Sequence, residues 1–157
     1  MWRVKFSLLL ALTAASSGCS SLDTIAILNN TEAPLQLQYT FKRDPSDDRS
    51  VQRRLSIIAT VASGKAGDLN CPWVLLRPSD YAYDQTTETV VVQVPPTTAV
   101  RIAELSNYLE TDERAADKFP IASVSIDGVR GNLHFDGEQA RKQFLNAKRS
   151  LHAIDYR

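Results

Sequence analysis

Short apolar segments separated by turn-forming residues recur along most of this chain, and they constrain its fold more than any other feature. Residues 35–41 alternate between apolar and polar side chains, which is the period of a strand with one buried and one solvent-facing side. Residues 89–94 are rich in valine and stop at Pro95 and Pro96, which cannot continue a strand ladder. The pattern predicts a mainly β protein.

The remaining strand predictions rest on shorter apolar stretches. They cover residues 24–28, 55–62, 73–76 and 98–105. For residues 55–62 a helix stays open as the alternative, because a short apolar run does not separate the two by its period. The charged residues 42–50 predict a loop, and the acidic residues 107–118 predict a loop with one helical turn.

A β-hairpin is predicted around Asp127 and Gly128, because Asp-Gly is a favoured two-residue turn between strands. Its strands would run over residues 122–126 and 129–135. The resulting cross-strand pairs are non-polar on one face and polar on the other: Ile126–Val129, Val124–Gly131 and Ala122–Leu133, against Ser125–Arg130 and Ser123–Asn132. The turn residues and the cross-strand pairs therefore indicate the same hairpin register.

The end of the chain predicts an amphipathic helix over residues 136–154, with Asp136 as its N-cap and Glu138 in its first turn. Apolar residues recur there at steps of three and four: Ala140, Phe144, Ala147, Leu151 and Ile154. The expected fold is an antiparallel sheet or β-sandwich of about seven short strands with this C-terminal amphipathic helix packed on it.

The first residues have the three parts of an export signal. Arg3 and Lys5 precede the apolar residues 6–15, and small residues follow at positions 16–18. The apolar part is too short for a membrane-spanning helix, which needs about 20 residues. Residues 1–18 are therefore predicted to be a signal peptide.

The segment Ser16-Ser17-Gly18-Cys19 resembles the lipobox of bacterial lipoproteins, although Ser16 stands where that family usually has leucine or another aliphatic residue. The resemblance implies that Cys19 is acylated on its sulfur, becomes the first residue after cleavage, and is then acylated on its amine. Ser20 resembles the pattern of lipoproteins sent to the outer membrane. The implied location is the periplasmic face of the cell outer membrane, with a lipid anchor.

The chain after the signal is predicted to consist of a lipidated N-terminus and tether, residues 19–23, and a single periplasmic domain, residues 24–157. Four extended tether residues reach at most about 14 Å, so the domain should sit close to the bilayer. Removing the signal takes away Arg3 and Lys5, which turns the balance of 18 basic and 18 acidic residues into a net charge of −2. A charge of that sign argues against a nucleic-acid partner.

The chain has two cysteines, Cys19 and Cys71, and their chemistry leaves two alternatives. In one, Cys19 carries lipid and Cys71 is a small buried residue near Trp73. In the other, an ordinary signal peptidase cuts the chain and a Cys19–Cys71 disulfide stabilises a freely periplasmic ligand-binding or inhibitor protein.

No metal, cofactor or catalytic motif is evident. His134 and His152 lack the spacing of metal ligands and are expected at the surface. The crowded acids Asp44, Asp47 and Asp48 lack the glycine and distal glutamate of a calcium loop. Paired carboxylates for glycoside hydrolysis are a further hypothesis, and would come from Glu104, Glu110, Asp112 and Glu113.

Two sets of residues are candidate contact surfaces. Arg141, Lys142, Lys148 and Arg149 would form a basic face of the terminal helix that contacts anionic headgroups or a partner. Trp73, Tyr81 and Tyr83 would flank a polar loop suited to protein or sugar contact. The sequence thus predicts a lipid-anchored, non-catalytic accessory or assembly factor that binds the bilayer through Cys19 and also binds a protein of an envelope complex.

Overall fold

The fold was analysed in a computed structural model, which describes residues 22–43, 48–68, 71–106, 119–148 and 150–157. The predicted signal peptide, Cys19, Asp44, Asp47, the acidic residues 107–118 and Arg149 lie outside the described residues. Among the helices that are described, none is long and apolar enough to cross a membrane.

Eleven strands and two α-helices are found in the described part of the chain. The strands are β1 Leu22–Asn29, β2 Leu35–Phe41, β3 Ala59–Ala62, β4 Val74–Leu75, β5 Tyr81–Asp84, β6 Thr89–Val94, β7 Thr98–Ser106, β8 Ile121–Gly128, β9 Gly131–Asp136, β10 Leu145–Lys148 and β11 Leu151–Tyr156. The helices are α1 Asp48–Leu55 and α2 Gly137–Gln143, and short 3-10 turns cover Ser63–Lys65 and Pro78–Asp80.

The strands form two sheets. One has six strands in the order β10-β11-β1-β7-β3-β4, and the other has five in the order β5-β6-β2-β8-β9. All neighbouring pairs are antiparallel except β1 with β11, which run parallel. The prediction of a mainly β, sandwich-like fold with a helix near the C-terminus is confirmed. The predicted number of about seven strands is wrong, since the described residues form eleven, and one pair is parallel.

The main core lies between the two sheets. In β2 the alternation seen in the sequence turns Leu35, Leu37, Tyr39 and Phe41 inward, while the polar residues between them face outward. Ile25 and Ile27 of β1 face them from the six-stranded sheet. Burying such side chains contributes about 1.5–3 kcal/mol each, so this layer is the main source of stability.

A second, smaller core covers the outer face of the six-stranded sheet. Ala26 and Leu28 of β1 pack there with Leu151 and Ala153 of β11, and Cys71 and Trp73 from the segment after β3 lie against them. Strand β1 is therefore buried on both faces. This explains why residues 24–28 form a continuous apolar run without alternation.

The region before β3 differs from its prediction. Helix α1 occupies residues 48–55, where a loop and the start of a strand were expected, and β3 begins only at Ala59. The guanidinium of Arg54 lies 5.4 Å from the ring centre of Phe41 and donates a hydrogen bond to the carbonyl of Lys42 at 2.9 Å. This helix packs through the methylene groups of an arginine rather than through apolar residues, so the sequence shows no apolar periodicity that would predict it.

The predicted C-terminal helix is wrong in its extent. Helix α2 ends at Gln143, because Phe144 adopts φ −81° and ψ 77°, and the chain continues as strands β10 and β11. Strand β11 pairs with the central strand β1 and is buried on both faces. A strand with two buried faces produces apolar residues at steps of three and four that resemble a helical stripe.

The hairpin exists, but its predicted register is wrong. Strands β8 and β9 turn at Val129 and Arg130, so that Ile126 pairs with Leu133 and Val124 with Phe135. Gly131 supplies the positive φ of 104° that this turn requires. Gly128 has another role: a Cβ atom there would lie 2.8 Å from the hydroxyl oxygen of Tyr156, which only a glycine permits.

Candidate functional site

A cavity of about 250 Å³ opens on the outer face of the six-stranded sheet. It lies between strands β1, β7 and β11 and the segment that follows β3. Its walls combine polar and charged groups with apolar ones, among them Leu22, Thr24, Asp68, Trp73, Arg101 and Glu104. A concave site with a few converging polar groups is the usual form of a binding site.

Arg101 and Glu104 form the charged floor of this cavity. The side chain of Arg101 is held at three points: Nε donates to the carbonyl of Ile57 at 2.9 Å, a terminal nitrogen lies 2.5 Å from Glu104 Oε1, and the guanidinium lies 5.3 Å from the ring centre of Trp73. The side chains of Arg101 and Glu104 are only 14% and 21% exposed. Their positions are thus fixed before any ligand arrives.

A β-bulge brings these two residues to the same face. In a regular strand, residues three positions apart point to opposite sides of the sheet. The register between β1 and β7 shifts, with Ala26 opposite Arg101 but Ile25 opposite Ala103, so Ile102 is an extra residue in β7. Ile102 and Ala103 both enter the main core, and Arg101 and Glu104 both face the cavity.

Cys71 lies at the wall of the same cavity as a partly buried side chain with no disulfide partner among the residues that the structure describes. The prediction that it would be buried is therefore correct only in part. Partial burial raises the pKa of the thiol, and the carboxylate of Asp68 raises it further against the opposing effect of Arg101 and Lys65. A thiol with a raised pKa is less ionised and less nucleophilic near neutral pH.

The three aromatic residues predicted to flank a loop separate in the structure. Trp73 lines the cavity, but Tyr81 and Tyr83 belong to strand β5 and pack half-buried against the main core. Both tyrosines lie in a strand rather than in a loop, opposite Val92 and Val90 of β6, and Tyr83 also lines a cavity of about 480 Å³ with Asp84 and Thr87. Their role in contact with a partner stays a prediction. Val74 and Leu75 lie in the predicted strand segment 73–76, and they are 65% and 59% exposed on edge strand β4.

The predicted basic helix face does not form. Lys142 is exposed on α2 and Arg141 is paired with Glu138, its Nε lying 2.8 Å from Glu138 Oε2. Lys148 belongs to strand β10 rather than to the helix, and Arg149 lies outside the described residues. The physical reason is the end of α2 at Gln143, which removes the seven-residue helical spacing on which the prediction depended.

The two histidines have opposite surroundings. His134 is exposed, as expected, with its ring nitrogens 2.7 Å from Ser125 Oγ and 2.9 Å from Asp136 Oδ2. This Ser-His-Asp chain resembles a catalytic triad in composition, but it lies on an open strand surface outside the cavity. The surface prediction is wrong for His152, which is buried on β11 with Nε2 3.9 Å from Asp23 Oδ1.

Of the four carboxylates proposed for glycoside chemistry, the structure describes Glu104, which forms an ion pair with Arg101. Glu110, Asp112 and Glu113 lie outside the described residues. Within the described ranges, no group of three or more His, Cys, Asp or Glu side chains is arranged to hold a metal ion. Comparison of the chain with family models, curated proteins and solved structures finds no match.

Proposed function

We propose that this protein is a lipid-anchored, non-catalytic accessory or assembly factor on the periplasmic face of the outer membrane, where it binds a protein of an envelope complex. The export signal and the lipobox-like segment ending at Cys19 motivate the anchor. The observation that carries the proposal is the position of Leu22, the first residue of β1, only three residues beyond Cys19.

That short connection would hold one end of the sandwich at the bilayer. Three extended residues span at most about 11 Å, and β1 is an inner strand of its sheet, so the anchor point cannot move independently of the domain. The amide of Thr24 donates to the carbonyl of Ser150 at 2.7 Å, and Lys148 pairs with Leu151 beside it. The connection between β10 and β11 would therefore also lie at the membrane end.

Edge strand β4 supplies the surface for the protein partner. Val74 and Leu75 are the most exposed large apolar residues in a strand of the described chain, together with Leu22. Their strand pairs with β3 on one side and ends the six-stranded sheet on the other. Apolar side chains on an unpaired sheet edge are suited to contact with another protein.

The anchor is tested by substituting Cys19 with alanine. We expect the wild-type protein to incorporate labelled palmitate and to sediment with outer membranes, and C19A to lose both properties completely because its acyl acceptor is gone. The matched control is Cys71→Ala, which removes the other cysteine and should leave labelling unchanged. Recovery of wild-type protein as soluble, unlabelled periplasmic material would overturn the proposal.

The partner surface is tested with Leu75→Lys, which places a charge on the exposed edge of β4. Site-specific crosslinking from position 75 in intact cells should give a discrete protein adduct. The amount of partner recovered with L75K should be at least about tenfold lower than with the wild type, since burying an unpaired charge is costly. Val129→Lys, at an equally exposed apolar residue in the β8–β9 turn, is the control. Equal recovery of the partner by both variants would refute the assignment of β4.

A second candidate function is supported by the position of Cys71. Leu22 and Cys71 line the same cavity, and Cys19 precedes Leu22 by three residues in the sequence. A disulfide would require the two cysteine Cα atoms to lie about 4.4–6.8 Å apart. Such a bridge would belong to a freely periplasmic ligand-binding or inhibitor protein. The intact mass of the mature protein separates the two candidates, since it shows added acyl chains for the first and the loss of two hydrogens for the second.

A further inference from the structure

We propose that the cavity between Trp73, Arg101 and Glu104 binds a single uncharged sugar residue. The inference goes beyond the proposed function and does not depend on the anchor, because every group that carries it belongs to the folded domain. It rests on the charge balance, the fixed hydrogen-bonding groups and the size of the cavity.

The opposed, paired charges of Arg101 and Glu104 favour a neutral ligand. A cation entering the cavity would meet the guanidinium of Arg101 on the floor, and an anion would meet the carboxylates of Glu104 and Asp68. Arg101 and Glu104 have low exposure, so their fields are screened less than those of surface charges such as the exposed Asp68. A ligand that offers both hydrogen-bond donors and acceptors but no net charge avoids both repulsions.

The fixed groups match neighbouring hydroxyls on a ring. Arg101 can only donate hydrogen bonds and Glu104 as a carboxylate can only accept them, and the two lie 2.5 Å apart. Sugar hydroxyls donate and accept at once, so adjacent hydroxyls can satisfy both residues. The hydroxyl of Thr24 lies in the same wall and adds a group of either kind.

The apolar part of the wall matches the other side of such a ring. Trp73, Leu22 and Leu151 line the cavity and can cover the carbon–hydrogen face of a sugar. The cavity of about 250 Å³ is small, at the scale of a single sugar ring rather than of an extended glycan. A glycan would therefore be held by one residue, with the rest outside.

The experiment uses the fluorescence of Trp73, since the only other tryptophan is Trp2 in the predicted signal peptide. Mature protein in detergent is titrated with N-acetylglucosamine, glucose and galactose as neutral probes, and with glucosamine and glucuronate as cationic and anionic ones. We expect a saturable shift of the Trp73 emission with at least one neutral sugar in the millimolar range. Both charged probes should bind at least about tenfold more weakly.

Two variants test the roles of the charged groups. Glu104→Gln should weaken the neutral sugar about tenfold and tighten glucuronate, because it removes one negative charge while leaving Arg101 in place. The matched control is Glu138→Gln, whose glutamate also pairs with an arginine three residues away but lies outside the cavity. A folded protein whose Trp73 emission responds to no neutral sugar up to about 100 mM, or responds equally to the charged probes, would overturn the proposal.

Discussion

Replacing Asn29 by alanine is expected to lower the free energy of unfolding by about 3–5 kcal/mol, the largest loss predicted for a single side chain here. Asn29 is the last residue of β1 and is completely buried. Its Nδ2 donates to the carbonyls of Ala33, Val94 and Pro95 at 2.9, 3.1 and 3.0 Å.

The same side chain accepts hydrogen bonds on its other atom. Asn29 Oδ1 receives the amide of Thr31 at 3.1 Å and its hydroxyl at 2.7 Å. The amide group therefore joins β1 of one sheet to the end of β6 in the other, and fixes the connection to β2. Alanine would leave several buried polar groups without partners, each costing about 1–3 kcal/mol less any relaxation.

Urea denaturation followed by circular dichroism measures this effect. Asn30→Ala is the matched control, because Asn30 is the exposed neighbour, and its Nδ2 donates to Asp155 Oδ1 at 2.7 Å. Its substitution should cost no more than about 1 kcal/mol. A loss below about 1 kcal/mol for Asn29→Ala would show that the two sheets are not held together through this amide.

The second large effect is expected for Gly128→Ala, with a loss of about 2–3 kcal/mol. The added Cβ would lie 2.8 Å from Tyr156 Oη and 2.9 Å from Tyr156 Cε1. Tyr156 is 3% exposed, and its hydroxyl donates to the carbonyl of Gly131 and accepts from the amide of Arg130, both at 2.9 Å. The ring cannot move without breaking both bonds, which hold the β8–β9 turn against the end of β11.

A double-mutant cycle isolates this contact. Gly128→Ala should cost less than about 0.5 kcal/mol when Tyr156 is already leucine, because the clashing atoms are gone. Gly64→Ala is the control, since a Cβ at Gly64 would meet nothing within 4 Å. Equal losses for Gly128→Ala in both backgrounds would mean that the contact with Tyr156 does not determine the need for glycine.

The sequence predicts a strand correctly where one face of that strand is buried and the other is exposed to solvent. Strand β2 was located to the residue, because its alternation reflects a single buried face. The terminal segment was assigned to a helix, because β11 is buried on both sides and its apolar residues fit either period. The hairpin turn lies two residues later than predicted, where Gly131 supplies the positive φ. Gly128 is instead required by its contact with the ring of Tyr156, between distant parts of the chain.

The candidate site could be predicted only in part. The sequence predicts Trp73 as a contact residue and Glu104 as a possible catalytic acid, but nothing in it places them together with Arg101. Their meeting depends on the pairing of β7 with β1, which are far apart in the chain, and on the packing of the segment after β3 over the sheet.

By itself the sequence determined the predominance of short strands and the net charge of the chain after residue 18, because each follows from local composition and period. Only the tertiary structure decided the parallel pairing of β11 with β1, the bulge at Ile102 and the cavity above it. These features arise from contacts between residues distant in sequence, and a local sequence pattern does not predict which strands become neighbours.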